Sequence, residues 1–299
     1  MKVVIAGGTG FIGRSLQAEL THAGHEFVLL SRRSGEGMVQ WDGQTLGPWT
    51  EALAGAHALI NLVGESISLP WTAENRRKIL ASRVDSCHVL GRALAGLQSP
   101  PPVWVQSSAT GFYGNRGDEV LTEESAAGNT SEFLVETCLA WEGAAREACP
   151  STVELRLVRT GLVLGDGGGA LPPILKVARM YLGGSLGSGQ QYMSWIHELD
   201  LVRQYVWLCD HCERPAIVNG TAPNPARNVD FMATLRRVIG RPWAPPAPAL
   251  AMKLMAKLGG PASELVLDSC RAIPQAAQRA DFEFKFSDLE SALRDLVPK

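Results

Sequence analysis

The chain has 299 residues, 45% of them hydrophobic and 19% charged, a balance that excludes a disordered or low-complexity protein. Its 28 Lys and Arg stand against 30 Asp and Glu, a net charge of −2. No global basic field exists to hold nucleic acid or an anionic membrane surface.

Val3-Val4-Ile5-Ala6 is a short β-branched run, too brief for a helix and suited to a buried parallel strand. Gly7-Gly8-Thr9-Gly10-Phe11-Ile12-Gly13 follows at once. Leu16, Leu20 and Ala23 then recur at helical spacing until Gly24-His25. Glu26-Phe27-Val28-Leu29-Leu30 reads as a second buried strand. Strand, glycine turn, helix and strand within about 30 residues make a dinucleotide-binding unit. Glycines at 7, 10 and 13 allow the tight turn, the approach of a pyrophosphate and close helix–strand packing. The helix N-terminus adds unpaired N–H groups and the positive end of its dipole. Thr9, Phe11 and Ile12 complete this phosphate-side shell.

The end of the second strand chooses the cofactor. An NAD site wants a carboxylate there for the ribose 2′-hydroxyl, and this chain has Ser31-Arg32-Arg33. Two guanidiniums and a hydroxyl suit a 2′-phosphate, so NADP is expected. Ala58 to Val63 is the third strand, and Val63, Gly64 and Glu65 at its end fall on the adenosine side of the crevice. A helix from Ala73 to Leu97 follows, with Thr72 as N-cap. Arg76 and Arg83 share one face of it, with Lys78 nearby. Lys78 and Arg83 are the candidates to reach a cofactor phosphate.

Val103-Trp104-Val105-Gln106 is the next strand, running into Ser107-Ser108-Ala109-Thr110-Gly111-Phe112-Tyr113-Gly114. With the glycine turn, this resembles the extended short-chain dehydrogenase/reductase superfamily. Trp141-Glu142, Arg159-Thr160-Gly161-Leu162-Val163-Leu164-Gly165, Gly167-Gly168-Gly169-Ala170-Leu171 and Gly183 to Gln190 narrow the likeness. Trp195-Ile196-His197 and Asn219 to Pro225 continue it. Together they are similar to an atypical branch of epimerase-family proteins that ends in a short domain of unassigned role.

The resemblance implies an α/β fold: a Rossmann doubly wound parallel sheet carrying a smaller, mostly helical substrate domain. The expected division is 1–165 plus 190–220 for the NADP-binding domain. Segments 166–189 and 221–299 form the smaller one. In that superfamily a Tyr, with a Lys four residues later on a helix, moves protons, while hydride passes to or from the nicotinamide. A phenol with a pKa near 10 needs such a cation to act as a base at neutral pH. Counting back from Glu142, the Lys position holds Cys138 and the Tyr position holds Leu134. Tyr113, Thr110 and Ser108, at the end of a strand pointing into the crevice, are the candidates to stand in. Ser107 and Val163 are expected beside the nicotinamide.

Val153 to Arg159 alternates as a strand. From Gly165 to Gly189 inclusive the chain has eight glycines, around an expected helix from Ile174 to Tyr181. Glycine-dense loops let a backbone close on a ligand. His197, before the helix that holds Leu201, Val202, Tyr205 and Val206, is the candidate substrate ligand, and Asp200 is that helix's N-terminal acid. Ile217 to Gly220 is a late strand, and Val229 to Ile239 a helix. Arg241 to Pro248 is a proline-rich linker. A helix from Leu250 to Leu258 should stop at Gly259-Gly260-Pro261. Phe282, Phe284 and Phe286 alternate on one face of an extended segment. Ser287-Asp288-Leu289-Glu290 is a capping box for the last helix.

The six cysteines are scattered, without disulfide or zinc spacing. Cys209-Asp210-His211-Cys212 reads as the end of a surface helix, so no metal is expected. No run of 18 or more apolar residues occurs, so no membrane span is expected. The chain reads as a cytoplasmic NADP-dependent epimerase or oxidoreductase of the extended short-chain type. Its substrate would be a sugar nucleotide or another small polar molecule. The alternative is a non-catalytic NADP-binding sensor or scaffold. By the resemblance, a homodimer would form through segments 73–97 and 132–148.

Overall fold

The computed structural model describes residues 1–35, 37–210, 213–250, 254 and 262–297. The chain opens with β1 (Lys2–Ala6), α1 (Phe11–His22), β2 (Glu26–Ser31), β3 (Met38–Gln40), β4 (Ala58–Asn61), α2 (Ala73–Ala95) and β5 (Val103–Ala109). It continues with β6 (Val120–Leu121), α3 (Phe133–Ala148), β7 (Glu154–Thr160), β8 (Leu162–Leu164) and α4 (Leu171–Val177). Then come β9 (Tyr192–Met193), β10 (Trp195–His197), α5 (Glu198–Leu208) and β11 (Ile217–Gly220). The last are β12 (Ala226–Arg227), α6 (Asn228–Val238), β13 (Arg271–Ala272) and a closing helix, Leu289–Leu296.

Seven strands pair in parallel in the order β11-β7-β5-β4-β1-β2-β3, the doubly wound sheet expected. Both faces are covered, as an all-parallel sheet requires. Val3 and Ile5 of β1 face one apolar layer with Leu16 and Leu20 of α1 and Leu201 and Tyr205 of α5. Val4 and Ala6 face the other, with Leu90 and Leu94 of α2 and Trp141 and Ala145 of α3. A third cluster, formed by Leu171, Trp195, Phe231, Leu235, Leu293 and Leu296, joins α4, β10, α6 and the closing helix.

β3 has no counterpart in the sequence reading. Three residues are too few for a periodic signal, yet Met38–Gln40 pairs with Leu29–Ser31 and extends the sheet at its edge. α2 begins where expected, because Thr72 Oγ1 accepts the Asn75 N–H. α4 starts at Leu171, earlier than expected, since Pro172 and Pro173 fit a helix's first turn. Its regular part stops at Val177, and Tyr181 turns left-handed at φ 63°.

Asp200 sits in the first turn of α5, but its carboxylate also accepts the backbone N–H groups of Lys285 and Phe286. That ties down the extended segment on which Phe282, Phe284 and Phe286 alternate. The last helix is capped by Asp288, which accepts the Ser291 N–H. Glu290 bonds Arg237 and Arg294 instead of closing a box. Most of the expected helix from Leu250 to Leu258 and its stop at Gly259-Gly260-Pro261, together with His211 and Cys212, lies outside the described residues. Among the described residues no helix is long and apolar enough to cross a membrane.

Candidate functional site

The strand order reverses between β1 and β4, which opens a crevice above their C-terminal ends. Gly7 leaves β1 at φ 76°, and a Cβ there would come 3.0 Å from the Leu62–Val63 backbone. Gly13 lies so close to Gly8 that a Cβ would fall 2.2 Å from its carbonyl oxygen. Only glycine brings turn, helix and strand together this tightly. A cavity of about 330 Å³ lies there, walled by Gly7, Thr9, Gly10, Ser31, Arg32, Val63, Gly64 and Glu65 among the sequence-predicted residues.

Other predicted residues stand back from it. Phe11, Ile12 and Gly13 form the first turn of α1, and the Phe11 ring is covered by Gly165, Gly168 and Gly169. The glycine-dense loop therefore closes on this ring. Arg33 does not line the cavity; its backbone N–H donates to Ser31 Oγ at 3.0 Å. Lys78 does not line the cavity; its ammonium pairs with Glu74 one turn away on an exposed face. Ser107 Oγ bonds the Tyr205 hydroxyl at 2.6 Å under the sheet, and Val163 is buried in β8.

The sequence reading missed one wall. Trp41, Asp42, Gly43 and Gln44, just past β3, also line the cavity, as do Ser82 and Asp85 of α2. Asp42 accepts the N–H groups of Gln44 and Thr45 and the Thr45 hydroxyl, which pull its carboxyl down to about 2. Asp42-Gly43 was legible as a turn, but nothing local placed it against the first crossover.

Beyond β4 lies a buried polar cluster. Ser108 Oγ donates to Glu142 Oε1 at 2.7 Å. Arg159 grips the same carboxylate through Nε at 2.8 Å and Nη2 at 3.0 Å. Its Nη1 donates to the Tyr113 hydroxyl at 3.1 Å, which donates to Asn219 Oδ1 at 2.8 Å. Burial works against the Glu142 charge, but Arg159, Ser108 and Arg146 hold its carboxyl below the ordinary value. Burial pushes the Tyr113 phenol up to about 12, against the pull of Arg159.

These contacts correct the expectation that Ser108 and Tyr113 point into the crevice. Both hydroxyls turn inward because α3 and β7 offer them charged partners there. Thr110 is half-buried and opens the short turn to Tyr113. Leu134 and Cys138 pack beneath that turn, where a Cβ on Gly111 would meet both. Cys138 Sγ faces the Ala109 carbonyl, and burial pushes the thiol up to about 12. His197 is corrected as well. Nδ1 caps α5 through Leu199 N–H, Nε2 bonds Asp295, and the ring stacks on Phe286 at 3.9 Å. With 3% exposure it has no nitrogen left for a ligand.

A second hollow, about 450 Å³, lies among Tyr192, Arg227, Asp230, Arg271 and Asp288. Its two cations and two carboxylates balance, which gives it no preference for an anion.

Residues 3–219 match the NAD dependent epimerase/dehydratase family, and residues 247–296 match a domain of unknown function, DUF1731. Epimerase family protein SDR39U1 of Bos taurus is 34% identical over 99% of this chain and 100% of its own length. The crystal structure of human epimerase family protein SDR39U1 with NADPH superposes with a TM-score of 0.89 at 31% identity, covering 99% of each chain. A nucleoside-diphosphate sugar epimerase from Corynebacterium glutamicum gives 0.79 at 30% identity, over 99% of this chain and 58% of that one.

Proposed function

Because the chain belongs to the NAD dependent epimerase/dehydratase family, we propose that it binds NADP(H) across the crevice between β1 and β4 and uses it on a sugar nucleotide or similar small polar molecule. One observation carries this reading. The cleft holds Ser31 and Arg32 at the end of β2, where an NAD site would carry a carboxylate. Gly7, Thr9 and Gly10 at the start of α1 would hold the pyrophosphate, and Ser31 and Arg32 the 2′-phosphate. Val63, Gly64 and Glu65 would flank the adenosine side. The NADPH of the human relative supports the same choice. When bound, this cofactor supplies hydride exchange; the chain's residues bind, orient and exclude water.

Proton handling does not follow the Tyr-Lys pattern in this reading, since Leu134 and Cys138 occupy those positions. Thr110 is the proposed hydroxyl at the reacting end, on the framework of Ser108, Glu142, Arg159 and Tyr113. The test is NADPH oxidation, or NADP reduction, across a panel of sugar nucleotides. Turnover of any member supports an oxidoreductase or isomerase. A second reading, a non-catalytic NADP(H) sensor, is favoured by the inward engagement of Ser108 and Tyr113. Tight NADPH binding with silence across the panel would decide for it. We further propose the cytoplasm as compartment, which suits five free cysteines among the described residues. A homodimer through α2 and α3 is proposed too, to be tested by the mass in solution.

A further inference from the structure

Large apolar side chains scattered singly on a surface need no partner, but a contiguous set of them does. Ten stand exposed among the described residues, and seven of these fall within residues 177–182 and 243–254. The first stretch continues α4, whose Leu171, Leu175 and Ala178 are buried while Val177, Arg179 and Met180 are exposed. The fold brings the second stretch alongside it. The Arg241 guanidinium lies 4.4 Å from the Tyr181 ring. Gly184 rests on the Pro245 backbone, where a Cβ would fall 1.9 Å from the carbonyl oxygen. Gly187 N–H donates to the Ala247 carbonyl and Ala247 N–H to the Ser185 carbonyl, each at 2.8 Å. Tyr181 and Leu182 therefore share a face with Trp243, 69% exposed, and Leu250, 78% exposed.

That face also has a sign. Residues 167–197 and 231–250 contain no Asp or Glu, although the chain has 30. They contain Lys176, Arg179, Arg236, Arg237 and Arg241. Arg237 pairs with Glu290, and the other four have no carboxylate within ion-pair distance among the described residues. A chain of net charge −2 thus gathers unpaired cations around its exposed aromatic and aliphatic side chains. Trp and Tyr favour the interfacial layer of a membrane, and Lys and Arg its anionic headgroups. A second copy fits less well, because a two-fold contact would set these cations against themselves. None of these residues lines the cofactor cleft.

We propose that this face docks the protein on an anionic lipid membrane without spanning it. Trp243, Leu250, Tyr181 and Leu182 enter the headgroup layer, while Lys176, Arg179 and Arg241 lie over lipid phosphates. The prolines at 242, 245, 246 and 248 stiffen the segment that presents Trp243, so little order is lost on docking. A few apolar tips give shallow, reversible insertion, and the cations add the preference for negative lipid.

The test sediments the full chain with vesicles of phosphatidylcholine alone and of phosphatidylcholine mixed equally with phosphatidylglycerol. The chain should bind the mixed vesicles far better than the neutral ones, and less as salt rises. Trp243→Ser with Leu250→Ser should bind the mixed vesicles about tenfold more weakly, the scale of one buried apolar side chain. Lys176→Glu with Arg179→Glu should lose about tenfold or more through charge alone. Both double variants should keep the wild-type Tm, since the side chains they replace are exposed. Undiminished binding by either variant, or no vesicle binding by the wild type, would overturn the proposal. So would a wild-type dimer that Trp243→Ser with Leu250→Ser dissociates, because a second copy would then cover the face.

Discussion

Glu142 and Arg159 meet through two hydrogen bonds, with the carboxylate fully buried and the guanidinium 3% exposed. The pair ties α3 to β7, and Ser108 adds β5. Removing Arg159 leaves the buried Glu142 carboxylate with Ser108 and the half-exposed Arg146 as its remaining partners. Arg159→Met should therefore cost roughly 3–5 kcal/mol, read from the denaturant midpoint. The double change Arg159→Met with Glu142→Leu should recover much of that. A single variant within about 1 kcal/mol of wild type would show that the pair behaves like an exposed one.

Tyr113 should matter for stability rather than for ligand. Tyr113→Phe deletes a hydroxyl and leaves Asn219 Oδ1 without its donor, a loss of about 1 kcal/mol. NADPH affinity should not move. Weaker NADPH binding at unchanged stability would mean that the ring faces the crevice.

Arg32 and Arg33 should now behave differently. Arg32 walls the cleft and Arg33 does not. Arg32→Ala should weaken NADPH by about tenfold or more, with NADH barely affected. Arg33→Ala should stay near wild type. Matching losses would place both guanidiniums on the 2′-phosphate.

Asp268 predicts a pH signature. Burial first, then Glu132 and Glu264, push its carboxyl up to about 6. Unfolded, it titrates near the ordinary carboxylate value. As pH falls through 6, the folded chain takes up a proton that the unfolded chain does not yet bind. Stability therefore gains from this group toward acid and carries its full penalty above 6. Asp268→Asn should raise Tm near pH 7.5 more than near pH 4.5. An equal gain at both values would remove the cause.

The fold was legible where period and punctuation agree. Val3 to Ala6, the glycine turn and the Leu16–Leu20 stripe specify the first crossover by themselves. β3 was not, because three edge residues carry no period. The site divides the same way. Gly7, Gly10 and Arg32 lie on one continuous unit, so spacing alone brings them together. Ser108, Glu142, Arg159 and Asn219 come from four elements, and their side-chain directions are set by partners far along the chain. His197 looked available because no local feature reveals that Asp295 and Phe286 enclose it.

The central claim is a crevice built for a 2′-phosphorylated dinucleotide. The most direct measurement is a paired titration of the full chain with NADPH and NADH at one salt concentration. Tighter binding of NADPH by about tenfold or more is expected from Ser31 and Arg32 at the end of β2. Equal affinities, a preference for NADH, or no binding of either would contradict it.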